Sequence, residues 1–266
     1  VTGGISTRAV CAPVGVVALA LIVVIGTTTP LDAQRGRGAG AGGEQASSPR
    51  QAAPVDLTGY WVSVVSEDWR YRMVTPAKGD TGGVPLNAEG QRIAREWDPA
   101  RDAAAGEACR AYGAPGLMRL PGRLHITWQD ERTLKIETDA GTQTRLLHFG
   151  STPTATADRT WQGVSTAAWD SVQGGGAPGA PRWGSLRVMT TQLRPGYLRR
   201  NGVPYSESTV LTEYFDLHPG PRDSTWITIT TIVNDSKYLG QEFITSTDIR
   251  KEPDGSKWNP TPCTAD

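Results

Sequence analysis

From Arg123 to Arg250 the chain alternates. Apolar and polar residues change places at every second position in RLHITWQ (123–129), RTLKIET (132–138) and TQTRLLHF (142–149). The pattern returns in SLRVMTTQL (185–193), STVLTEYFDL (208–217), TWITITTIVN (225–234) and EFITSTDIR (242–250). A period of two places every second side chain on one face of a pleated strand, so each run reads as a strand with one buried face. Asp130-Glu131 and Asp139-Ala140-Gly141 separate the first three runs and suit tight antiparallel turns. With 55–65 as a first strand, eight or nine antiparallel strands follow one another with almost no helix between them. Closing such a sheet into an up-and-down barrel removes its unpaired edges, and the sequence predicts that closure. A two-sheet sandwich is the other solution.

Helix is confined to one place. Asn87 caps AEGQRIAREW, and Asp98-Pro99 starts a second short helix that ends near Gly106, a cap followed by proline in the first turn. Ile93 and Trp97, four apart, share the face turned to the body. TPAKGDTGGVP (75–85), SVQGGGAPGAPRWG (171–184) and RPGYLRRNGVPYSES (194–208) read as loops from their glycine and proline.

The amino-terminal end has a different logic. Arg8, an apolar run from Val14 to Ile25 and the site Leu31-Asp32-Ala33 stand in the order of a secretory signal, and the run is shorter than the roughly 20 apolar residues of a membrane span. Residues 1–33 are expected to leave on export, so the mature chain lacks a membrane span and is periplasmic or secreted. Residues 34–54 hold no large apolar side chain to offset the entropy of ordering, which predicts a disordered linker. Residues 55–266 then form one domain.

Charge and cysteine usage narrow the function. Of 27 basic and 27 acidic residues, Arg8, Arg35, Arg37, Arg50, Asp32 and Glu44 precede the body, leaving 23 basic against 25 acidic. A body so near neutral lacks the basic stripe that nucleic acid or an anionic membrane demands. Of three cysteines, Cys11 lies in the signal, so Cys109 and Cys263 are left for an oxidising compartment, which favours a disulfide between them.

Catalytic signatures are missing. The chain has no HExxH, CxxC or GxxxxGK[ST], and Gly163-Val164-Ser165-Thr166-Ala167 lacks the second glycine of a nucleophile elbow. Three imidazoles suffice for zinc, but His125, His148 and His218 have no ligand spacing, so neither metal nor cofactor is expected. Glu67, Glu213 and His148 are the candidates for acid and base work, a carboxylate tuned by burial against a paired charge. Glu137 facing Arg145 across a hairpin reads as a plain surface pair.

In GYWVSVVSEDWRYRM (59–73) an ordinary strand turns charged and aromatic. Read as extended, one parity carries Glu67, Trp69, Tyr71 and Met73 and the other Asp68, Arg70 and Arg72, so the stretch is expected to line or rim a cavity. The 194–208 loop adds Tyr197, Arg199, Arg200, Asn201 and Tyr205 on a scaffold suited to binding.

The segments EDWRYRMVTPAKGD, PGRLHITWQDERTLKIETDAGTQTRLLHFG, LRRNGVPYSES and DGSKWNPTPC resemble an uncharacterised family of exported bacterial proteins, and the chain is similar to lipocalin-like, or calycin, barrels. The resemblance spans most of residues 55–266 and implies export and a barrel; it brings no activity. The expected function is binding of a small amphipathic or aromatic ligand, with Trp69, Arg70, Arg72, Arg145, His148 and Tyr205 lining or rimming the site. The alternatives are a cofactor-free hydrolase or isomerase using the carboxylate and histidine candidates, and an interaction module with a solid core.

Overall fold

The structure, a computed structural model, describes residues 47–150, 158–174 and 182–265. The expected signal, 1–33, and the linker as far as residue 46 lie outside them. Residues 47–54 pack against the body: the Trp169 indole donates to Pro49 O at 2.8 Å and Arg50 N to Glu131 O at 3.3 Å. The domain therefore begins a few residues before the expected boundary.

Nine strands close into a barrel. In chain order they are β1 (Gly59–Val64), β2 (Arg123–Trp128), β3 (Thr133–Thr138), β4 (Thr144–Phe149), β5 (Val164–Gly174) and β6 (Arg182–Thr191), and then β9 (Val210–Pro219), β10 (Thr225–Asn234) and β11 (Phe243–Glu252). A separate hairpin, β7 (Gly196–Arg199) and β8 (Val203–Tyr205), fills the gap in numbering. Around the wall the order is β1-β11-β10-β9-β6-β5-β4-β3-β2, a meander in which the first strand closes the ring. All pairs are antiparallel except β4 with β5, where Leu147 faces Ser165 and Phe149 faces Ala167 in parallel. An odd number of strands cannot alternate in direction all the way round. One neighbouring pair has to run parallel, and the long connection after β4 takes that part.

Strand β5 and the β7–β8 hairpin are corrections to the sequence reading. The last four residues of β5, 171–174, fall where glycine and proline suggested loop, the rest was not read as a strand, and its partners, β6 and β4, supply the pairing that its composition does not advertise. The 194–208 segment is largely buried rather than a surface loop.

Four helices lie in or beside the long β1–β2 connection: α1 (Trp69–Arg72), α2 (Ala88–Glu96), α3 (Pro99–Ala104) and α4 (Ala114–Leu117). Asn87 Oδ1 accepts from Gly90 N at 2.9 Å, and Asp98 Oδ1 accepts from Ala100 N and Arg101 N, the two caps read from sequence. The α1 turn overturns the extended reading of SEDWRYRM. Asp68 takes a left-handed conformation, φ 48°, and ends the strand direction before Trp69. Among the described residues no helix is long and apolar enough to cross a membrane.

The β1–β2 connection, the β7–β8 hairpin and the β10–β11 loop all emerge at the same end and form a lid. Asp235 is its hub, accepting from Ser206 Oγ at 3.0 Å, Thr209 Oγ1 at 2.8 Å and Lys237 N at 2.9 Å. The carboxyl-terminal tail leaves β11 at the opposite end and returns along the outer wall. Trp258 meets the stacked pair Tyr60 and His125, Thr261 N donates to Asp139 O at 2.8 Å, and Cys263 is bonded to Cys109 of the lid with Cα atoms 5.1 Å apart. A strap thus runs the height of the barrel.

Candidate functional site

Inward parity divides the lumen into two halves. At the end away from the lid it is filled by Trp61, Ile126, Ile136, Leu147, Leu186, Phe215, Ile227 and Ile249, all at most 1 % exposed. Full burial of one such side chain is worth about 1.5–3 kcal/mol, so this half is a packed core. The lid has a second cluster, including Leu86, Leu193, Leu198, Val203, Tyr205, Leu211, Val233 and Phe243.

Between the two clusters lies a polar stratum. Arg145 on β4 and Glu213 on β9 point inward from strands with β5 and β6 between them and bond end on, Nη1 to Oε1 at 3.0 Å and Nη2 to Oε2 at 2.6 Å, both side chains wholly buried. Nη2 also donates to Thr190 Oγ1 at 3.2 Å, which lies 2.7 Å from Ser165 Oγ. A fork-to-fork pair is the geometry that best compensates two buried charges. Arg145 Nε and the hydroxyls of Thr231, Thr245 and Thr247 on the same stratum are buried with no hydrogen-bond partner, a cost of about 1–3 kcal/mol for each group left unsatisfied.

Above it the lid holds three more buried guanidinium groups. Arg72 donates through Nε to Arg119 O at 2.8 Å and pairs with Glu67. Arg119 bonds Asp68 Oδ2 at 2.8 Å and lies over the Phe243 ring, 5.7 Å from its centroid. Arg199 donates to Gly82 O at 2.7 Å and stacks on Tyr71 at 4.1 Å. Desolvation lowers the proton affinity of both Arg72 and Arg199, and the positive charge of Arg119 lowers each further. Arg199 falls to about 10.

The residues singled out in the sequence separate into several places. Trp69 is 64 % exposed on α1, and Arg70, also exposed, pairs with Asp80 at 2.8 Å. Arg72 is buried in the lid and Arg145 in the lumen. Tyr205 lies in the lid core against Gly113 and Gly196, its hydroxyl without a partner, and burial raises its proton affinity. His148 points outward from β4, since it is three residues from inward-facing Arg145. There it lines a cleft of about 400 Å³ along the parallel seam with Thr144, Leu146, Gln162 and Gln192. The structure therefore does not bring His148 together with Glu213, whose carboxylate is engaged by Arg145, or with Glu67, which caps the lid end beside Arg72. The expected partner of Arg145 is corrected as well: Glu137 faces outward, 3.3 Å from His125 Nδ1 and 3.0 Å from Lys135 Nζ. Among the described residues no group of three or more His, Cys, Asp or Glu side chains is placed to hold a metal ion.

Sequence reasoning missed Arg119 as a site residue and singled out Arg199 only as one of the polar residues of the 194–208 loop. Arg119 stands alone in the apolar run GLMRLPG, and a single charge inside such a run is a signal of a buried, partnered group. The chain matches no protein-family model, no curated protein and no solved structure.

Proposed function

We propose that this chain is an exported, lipocalin-like binding protein, periplasmic or secreted, that takes a small amphipathic ligand at the lidded end of its barrel. The packed half leaves no place for a ligand deep in the lumen, so the ligand seats at the polar stratum, with Arg145 and the threonines of β10 and β11 beside its polar part. Arg72 belongs to the roof of this seat, Tyr205 to the support of the lid, and Trp69 and Arg70 to its outer rim. The observation that carries the reading is the set of four buried polar atoms, Arg145 Nε and Thr231, Thr245 and Thr247 Oγ1, that have no partner on one stratum of one barrel. Natural cores leave few such groups, and each asks for an occupant. Export is supported by the Cys109–Cys263 disulfide together with the apolar run Val14–Ile25.

Mass spectrometry of ligands carried through native purification tests this, followed by tryptophan fluorescence titration with the compound found. Binding that weakens in Thr231→Val and Thr247→Val supports the reading. A broad panel of amphipathic and aromatic compounds that neither binds nor shifts the fluorescence sinks it. The filled half of the lumen favours a second reading, an interaction module, which that second outcome would leave in place.

A further inference from the structure

Arg72, Arg119 and Arg199 come from three separate parts of the chain, α1, the segment after α4 and the end of β7, and the lid folds them to one place. Each is at most 5 % exposed. Two carboxylates contact the three: Glu67 on Arg72 and Asp68 on Arg119. Arg199 has a carbonyl and an aromatic face for contacts, with Asp68 and Asp80 acting on it at longer range. Each guanidinium also keeps one buried nitrogen without an acceptor: Nη2 of Arg72, Nη1 of Arg119 and Nε of Arg199. Three buried guanidinium donors without acceptors suit a compact oxyanion.

A cleft lies beside the cluster. It has a volume of about 500 Å³ and opens between residues 83–85 and 241–244, with Gly83, Val84 and Phe243 on its walls. Phe243 is the ring beneath Arg119, and a side chain added at Gly83 would lie 3.7 Å from Arg199 Nη2. The cleft therefore abuts two of the three cations through one phenyl ring and one residue without a side chain. Glu242 lies on its wall and accepts from Asn234 Nδ2 at 3.4 Å.

We propose that Arg72, Arg119 and Arg199 form an oxyanion-binding site in the lid, which takes a carboxylate or a phosphate group entering by the cleft beside Gly83 and Phe243. The site shares Arg72 with the roof of the proposed seat and otherwise lies in the lid. An anion bridging two guanidinium groups cancels the repulsion between them and supplies the missing acceptors. The same chemistry serves a free phosphate or the head of an amphipathic carboxylate.

The test is thermal unfolding of the full mature chain titrated with inorganic phosphate, acetate and octanoate, against chloride at matched ionic strength. A saturable rise in Tm with phosphate or a carboxylate, absent with chloride, is expected. Arg199→Gln and Arg119→Gln should weaken it about ten-fold or more, the size of one charge-assisted hydrogen bond, and Arg199→Lys by less. Arg187→Gln, which removes a half-exposed guanidinium from the outer wall, should leave the phosphate response unchanged. Octanoate binding more tightly than acetate supports the lid site and the amphipathic-ligand reading together; phosphate binding with no such gain supports the lid site alone. Should the glutamine variants fail to fold, arginine Nε–Hε resonances of isotope-labelled wild type give the answer, since phosphate must move those of the cluster. No saturable response to any of the three anions, or a response undiminished by Arg199→Gln, overturns the proposal.

Discussion

The two halves of the lumen are built from the same nine strands and treat polar groups in opposite ways. In the half away from the lid, Leu147, Leu186, Phe215 and Ile227 interdigitate and leave no polar side chain among them. One step along the same strands, Arg145, Ser165, Thr190, Glu213 and Thr231 occupy the inward positions. Burial is nearly complete in both, so exposure alone does not separate them. Satisfaction does: the packed half is complete in itself, while the polar half carries an ion pair that needs its full bonding and several groups that lack it. A wall can thus be stable in one part and receptive in another without a change of fold.

Breaking the ion pair tests this contrast most severely. Glu213→Ala strands the Arg145 charge between two apolar clusters and should cost about 3–5 kcal/mol in chemical denaturation, whereas Arg145→Met with Glu213→Leu should return to within about 1 kcal/mol of wild type. Equal losses in the single and the double variant would mean that the stratum is held by something other than charge. In the packed half Phe215→Ala should cost about 3–5 kcal/mol by leaving a cavity, with no compensating partner change to recover it. Removing the disulfide with Cys263→Ser should cost about 2–4 kcal/mol. Its signature is local: hydrogen exchange should rise in the lid residues around Cys109 and in the tail, and stay unchanged at Phe215 and Ile227.

The smallest effect is the sharpest for the lid. Tyr205→Phe removes a buried hydroxyl that bonds nothing, so at neutral pH it should change stability by less than about 1 kcal/mol. Burial raises the proton affinity of the Tyr205 phenol in the folded state, so its favourable contribution is full below the unfolded value of about 10 and is lost as pH rises above it. Denaturation at pH 9 and pH 11 should show a steeper loss in wild type than in Tyr205→Phe. Parallel slopes would place the phenol in water.

The barrel was legible because alternation survives in single strands. TWITITTIVN and STVLTEYFDL declare their inward faces without help from any neighbour. The polar stratum was half legible: Arg145 shares parity with Leu147 and Phe149, and Glu213 with Leu211 and Phe215, so each is a charge on an apolar face. That the two meet depends on β5 and β6 lying between their strands, and β5, VSTAAWDSVQG, has no clean alternation and runs into a glycine-rich stretch at its end. The lid was the least legible part. SEDWRYRM alternates well enough for a strand, and only the left-handed turn at Asp68 and the bonds from Arg72 and Arg119 to Glu67, Asp68 and Arg119 O make it helical. Such long-range partners leave no period to read, which is why Arg119 escaped notice and Arg199 was read as part of a binding loop, while Trp69 and Arg70, conspicuous in sequence, point to water.

A cylinder of nine staves has one joint where the grain does not reverse. Leu147, His148 and Phe149 meet Ser165, Thr166 and Ala167 there across a short contact, and slanted parallel bonds hold slightly less well than the straight ones of every other joint. If the wall ever yields to admit or release something sideways, this is the line along which it parts. Amide protons at those six positions should be the first of the wall to exchange with solvent.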